Sequence, residues 1–121
     1  MTRGFRLGVL LLTAALGGCS PNHADALTGP YLLYADAEDT HSYSIVTRAT
    51  QGGFVVVVSD VTAIAHTDQV ILVQTPGEGT SVIDVPRRHV TSHLSAADLI
   101  RERHRLGVPD ALTLSPLPPL E

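Results

Sequence analysis

Apolar residues along this chain fall into short runs separated by turn-formers, and only one stretch takes up helical spacing. Residues 31–35 form the first run, closed by the acidic stretch Asp36-Ala37-Glu38-Asp39. Residues 43–48 follow, bounded by Gln51-Gly52-Gly53, and then residues 54–58, a phenylalanine and four consecutive valines. A run with no polar position predicts a strand covered on both faces. Residues 61–66 and 70–74 flank Thr67-Asp68-Gln69, a connection of hairpin length, and Pro76-Gly77-Glu78-Gly79 turns the chain into residues 81–84. Pro86-Arg87-Arg88 makes another turn before a weaker strand over 89–92. With turns about every ten residues and no helix between strands, the pattern predicts a mostly β (α+β) domain, a small antiparallel meander sheet of about five to six strands.

One helix is expected over 95–106, packed on that sheet. Ser95 is placed to cap it, with Asp98 three residues on to reciprocate, and Leu94 and Leu99 match a hydrophobic staple. Ala96, Leu99, Ile100 and Leu106 form its apolar stripe, and Gly107 and Pro109 end it. Arg103 falls within the stripe, so its stem should pack while its head reaches an acidic strand residue or solvent. Residues 112–121, with Pro116, Pro118 and Pro119, read as a Pro-rich tail.

Composition narrows the chemistry. The chain has 121 residues, 12 of them acidic, and its eight basic residues are all arginine, giving a net charge of −4. That balance argues against nucleic acid as a partner. Without lysine there is no P-loop, Schiff-base lysine or Ser-x-x-Lys motif. A single cysteine rules out an internal disulfide or a Cys-x-x-Cys pair. No Gly-x-Ser-x-Gly elbow is present, so nothing in the sequence supports an enzyme, and no cofactor is indicated.

The N-terminal residues carry an address. Arg3 and Arg6 precede an uncharged apolar stretch running from Leu7 to Leu16, shorter than the about twenty residues a membrane span needs. Leu16-Gly17-Gly18-Cys19 resembles the lipobox of bacterial lipoproteins, with the chain's only cysteine where the signal should end. The resemblance implies cleavage after Gly18, lipidation of Cys19 and a membrane link through that lipid alone. Two or three acyl chains hold stably where one does not. Ser20 stands where an inner-membrane retention signal would place Asp, which implies the outer membrane, facing the periplasm, in a Gram-negative host. The chain then divides into a signal peptide over 1–18, a lipidated tether over 19–29, a β-rich domain over 30–111 and the tail over 112–121. Loss of residues 1–18 leaves six arginines against twelve acids.

Residues 61–114 also resemble a family of short bacterial lipoproteins whose domain has no assigned function. The likeness rests on Val61-Thr62-Ala63-Ile64, Asp68, Val70-Ile71-Leu72-Val73-Gln74, Ile83-Asp84, Leu94-Ser95, Asp98-Leu99, Arg103, Leu106-Gly107-Val108-Pro109 and Leu112. These are structural signatures, and the resemblance implies no activity.

Three clusters invite a functional reading. Asp36, Glu38, Asp39 and His41 offer oxygen ligands, but without the Asp-x-Asp-x-Asp-Gly spacing of a calcium loop. His66, His89 and His93 lack the spacing of a zinc site, and neither cluster is assigned a metal. Arg87-Arg88-His89 is a compact basic tip suited to a phosphate, a carboxylate or a protein partner. The resulting expectation is a lipid-anchored cell-envelope protein, a non-catalytic interaction or structural module with an envelope protein as partner. The alternative is a small-ligand or metal-binding lipoprotein, enzymatic or not, using the His and acidic turns.

Overall fold

A computed structural model describes residues 22–77 and 79–120, so the signal over 1–18, its cleavage point at Gly18 and the lipidation residue Cys19 lie outside the described residues. The described chain is mostly β with one helix, as the residue pattern implies, but its nine strands divide into two sheets. β1 (His23–Thr28), β2 (Tyr31–Asp36), β3 (Ser42–Arg48) and β4 (Phe54–Val61) form an antiparallel sheet in sequence order. β5 (Ala63–His66), β6 (Val70–Thr75), β7 (Gly79–Asp84), β8 (His89–Leu94) and the short β9 (Ser115–Pro116) form the second, in the order β8-β7-β6-β5-β9. The helix α1 (Ala96–Arg105) follows β8.

Two apolar layers hold the molecule together. Between the sheets lie Tyr31, Ile45, Val61, Ile71, Val73, Ile83 and Val85. On the outer face of the second sheet, Ala65, Val70, Leu72, Val82 and Val108 meet Leu99 and Leu106 of the helix region. Side chains alternate across a strand, so a central strand between two covered faces must be apolar at every position. That strand is β6: Val70, Ile71, Leu72 and Val73 are each at most 3% exposed, with Ile71 and Val73 facing the first sheet and Leu72 the helix side.

The valine run of β4 is therefore not the doubly covered strand its composition suggests. β4 is the edge of the first sheet, paired only with β3, and Phe54, Val55 and Val56 are 41%, 53% and 59% exposed. Register shifts opposite Tyr43–Val46 bend the strand, and only Val57, Val58 and Val61 pack inward. The rings of Tyr34 and Phe54, 5.3 Å apart, and the Arg48 guanidinium 5.7 Å from the Phe54 ring partly shield this edge.

The segments at either end of the domain are also more ordered than expected. Most of the residues read as a tether form β1, which pairs along β2. Asn22 Oδ1 accepts from the backbone N–H of Ala37 (2.8 Å) and Glu38 (3.2 Å), fastening the start of the domain to the β2–β3 turn. At the C-terminal side, Leu112 and Leu114 pack into the helix-side core and Leu117 into the inter-sheet core. Leu117 N–H donates to Thr62 O at 2.9 Å and the Tyr43 hydroxyl to Pro118 O at 2.7 Å. The segment is a strap across both layers rather than a tail.

The helix forms where its caps place it. Ser95 accepts from Asp98 N–H at 3.2 Å, while the Asp98 carboxylate pairs with Arg101 instead of closing a reciprocal capping bond. Its rotation differs from the expected stripe: Ile100 is 69% exposed and Ala96 is exposed. Leu99 and Leu106 do the packing, with Glu102 and Arg103 between them. Arg103 pairs with no acid among the described residues; its Nη2 donates to Pro109 O and Leu112 O, each at 2.8 Å, the Pro109 bond at the surface. It thereby ties the helix to the first turn of the strap.

Candidate functional site

Strand directions sort the polar groups toward two ends of the molecule. One end carries Asn22, the β2–β3 turn, the end of β4 and the strap; the other carries the β1–β2, β3–β4 and β7–β8 turns. The first end is acidic. Asp36 accepts there from Asp39 N–H and the Thr40 hydroxyl, each at 3.1 Å, and the Asp39 bond ahead of the others holds its carboxyl below its ordinary range. The carboxylate thus organises its own turn. The suggested histidine group does not assemble either: His66 on β5 and His89 on β8 are separated by β6 and β7, and His93 lies further along β8. Among the described residues, no three His, Cys, Asp or Glu side chains come together as a metal site.

The acidic end also holds a shallow groove of about 270 Å³ lined by His41, Tyr43, Asp60, Leu117 and Pro118. His41 and Asp60 sit at φ +52° and +57°. The strap forms one wall, and the Tyr43 hydroxyl is already committed to Pro118, so the groove reads as the seam where the strap docks.

The opposite end is built from arginines. After Asp84, the turn Val85-Pro86-Arg87-Arg88 closes with Arg88 N–H on Val85 O at 3.2 Å, proline supplying the first central position. Arg87 folds back on Asp84, its Nη1 3.1 Å from Oδ2. The Asp84 side chain is 6% exposed. Burial pushes its carboxyl up, but the Arg87 hydrogen bonds and charge outweigh burial and leave it below the ordinary carboxylate value. Arg105 grips Glu102 with two bonds (3.1 and 2.6 Å) and lowers that carboxyl in the same way.

Arg88 is different. Its φ of +54° is a left-handed conformation that favours glycine or asparagine, and no carboxylate pairs with it among the described residues. It lines a cleft of about 550 Å³ between the two sheets, together with Arg48 at the end of β3. The remaining wall includes Pro30, Tyr31, Thr47, Val57 and Val90. Tyr31 is 3% exposed, and its hydroxyl has no hydrogen-bond partner among the described residues, although Arg88 and Asp84 both act on it electrostatically. Burial, the largest influence, raises its pKa and keeps it a neutral donor.

Of the basic tip Arg87-Arg88-His89, the structure thus brings only Arg88 to an open site. Arg87 is engaged by Asp84, and His89 starts β8. Sequence reasoning missed Arg48 and Tyr31, which lie on β3 and β2, far from the tip in the chain. The signal that points to them is the Tyr31–Thr47 pairing in the β2–β3 ladder, which no local motif encodes. No family model, curated protein or solved structure matches the chain.

Proposed function

We propose that this chain is a lipid-anchored module of the bacterial cell envelope. Acylated Cys19 holds it at the outer membrane on the periplasmic side, without catalysis, so that its arginine-bearing end engages an envelope partner. The observation that carries the reading is the position of Asn22. Only Ser20 and Pro21 separate it from Cys19, and its side chain is fixed to the β2–β3 turn. Three residues reach about 10 Å at most, so a lipid on Cys19 draws the acidic end close to the bilayer. The Arg48 and Arg88 end then stands a strand length away, about 20 Å from that surface.

Fractionation of cells expressing Cys19→Ala tests this. The variant is expected in the soluble fraction while the parent stays with membranes through alkaline and high-salt washes. A variant that remains membrane-bound after both washes defeats the anchor reading. In-cell crosslinking of the parent should capture an envelope protein that the variant loses.

A further inference from the structure

We infer that the cleft between the sheets, at the end bearing Arg48 and Arg88, is a binding site for a small anionic amphiphile: a carboxylate or phosphate head on an apolar chain. Three independent features converge on it. The first is charge. Arg88, without a carboxylate partner among the described residues, lines the cleft in a chain whose acids outnumber its arginines, while Arg48 lines it at the end of β3 with its own guanidinium 5.7 Å from the Phe54 ring. Such groups recognise carboxylate and phosphate oxygens.

The second is the Tyr31 hydroxyl. A buried donor without a partner is costly, and here the side chain that carries it lines the cleft beside Thr47, its neighbour across the β2–β3 ladder. A bound oxyanion satisfies that donor and neutralises Arg88 at once. The third is strain. Arg88 holds a backbone conformation that glycine would take without penalty. Arg88 is one of four non-glycine residues with positive φ among the described residues, and the one of them that lines this cleft.

The walls determine what lies behind the head. Pro30, Val57 and Val90 give the cleft an apolar lining, and its volume is within the usual range for small-molecule sites. A bare inorganic anion leaves that lining wet, whereas an alkyl chain covers it. The site belongs to the domain alone and does not depend on the anchor, so it stands or falls separately from the Cys19 experiment.

The test is calorimetric titration of the full chain, carried in neutral phosphatidylcholine discs with empty discs as blank. Octanoate and octyl phosphate serve as the two headed probes, octanol and inorganic phosphate as the partial ones. One saturable site is expected for both headed probes, with octanol and inorganic phosphate roughly tenfold weaker or more, the usual effect of losing a charged hydrogen bond or a buried chain. The tighter of the two headed probes identifies the source, a free fatty acid or a phosphorylated lipid. Arg88→Gly relieves the backbone strain, so it should keep or raise the thermal midpoint while weakening binding roughly tenfold. Tyr31→Phe should weaken it several-fold, and Arg48→Ala less than Arg88→Gly, since the Arg48 guanidinium lies on the Phe54 ring. No saturable heat, octanol as tight as octanoate, inorganic phosphate as tight as octyl phosphate, or unchanged binding in Arg88→Gly would each overturn the assignment.

Discussion

Asp84 ends β7 with almost no exposed side-chain surface, and Arg87 is what keeps it charged there. Replacing it with asparagine keeps the shape but removes the charge-assisted bond, and Asp84→Asn is expected to cost about 1–3 kcal/mol in urea unfolding. The sign of the pH dependence follows from the direction of the shift. The folded-state pKa of Asp84 is depressed, as is that of Glu102 beside Arg105. Their contribution is therefore complete above the unfolded values near 4 and is lost as pH falls through the lower folded values. Stability should drop on acidification below about pH 4, and more shallowly in Asp84→Asn. Parallel profiles for parent and variant would show that the Asp84–Arg87 pair does not set the acid limb. Gly29 is a second position where one atom decides. Its φ is +56°, and an added Cβ would lie 2.7 Å from Val85 Cγ1. Gly29→Ala should destabilise by about 1–3 kcal/mol, and a larger effect than that of a surface alanine substitution is the check.

Two apolar runs of similar composition, Phe54–Val58 and Val70–Val73, end in opposite environments because of where their strands fall in the sheets. β6 lies between the inter-sheet core and the helix, whereas β4 closes an open edge. Leu72→Ala is expected to cost about 2–5 kcal/mol, the usual range for emptying a packed core position. Val56→Lys should change stability by less than about 0.5 kcal/mol, since the side chain is mostly in solvent. Because the first five residues of the edge strand and its preceding turn, residues 49–58, carry neither charge nor proline, the added lysine should also reduce concentration-dependent light scattering. Equal costs at the two positions would mean that β4 is covered in solution. The strands from β2 to β8, their turns and the Ser95 cap were legible in the sequence because alternation and Gly/Pro placement are local signals, whereas β1 and β9 were read as tether and tail. Sheet membership was not: pairing order is non-local, and a four-residue apolar run is compatible with either a sheet centre or an edge. The helix rotation was lost for a related reason. Glu102 and Arg103 face inward because Arg105 and the carbonyls of Pro109 and Leu112 satisfy their polar ends. Hydrophobicity alone assigned that place to Ile100, so Ile100→Gln should be neutral within about 0.5 kcal/mol.

At the scale of the molecule, long-range contacts account for what local reading left out. The basic tip was visible as Arg87-Arg88, yet the cleft requires Tyr31, Thr47 and Arg48, and only the β2–β3 ladder and the inter-sheet packing bring these beside Arg88. The C-terminal segment presents the same difficulty. Three prolines suggested an extended tail, and the segment is indeed extended, but extended chain with its N–H groups paired can also bridge two layers. Leu114 enters the helix-side core, Ser115–Pro116 joins β5 as an edge strand where proline is tolerated, and Leu117 enters the inter-sheet core. Arg103 holds the upstream end through Pro109 and Leu112, and Tyr43 the downstream end through Pro118. Removing residues 114–121 takes away β9 but leaves β1–β8 and the helix intact in sequence, and it strips apolar cover from both cores. The loss of Leu114 and Leu117 from the two cores, together with the lost edge pairing, places the expected cost at about 3–5 kcal/mol, a large fraction of a small domain's stability. Urea unfolding of the truncated chain should therefore begin at markedly lower denaturant, and Leu117→Ala alone should account for part of that shift. A truncated chain as stable as the parent would mean that the two cores close without the strap, and its bonds to Thr62 and Tyr43 would then be incidental to the fold.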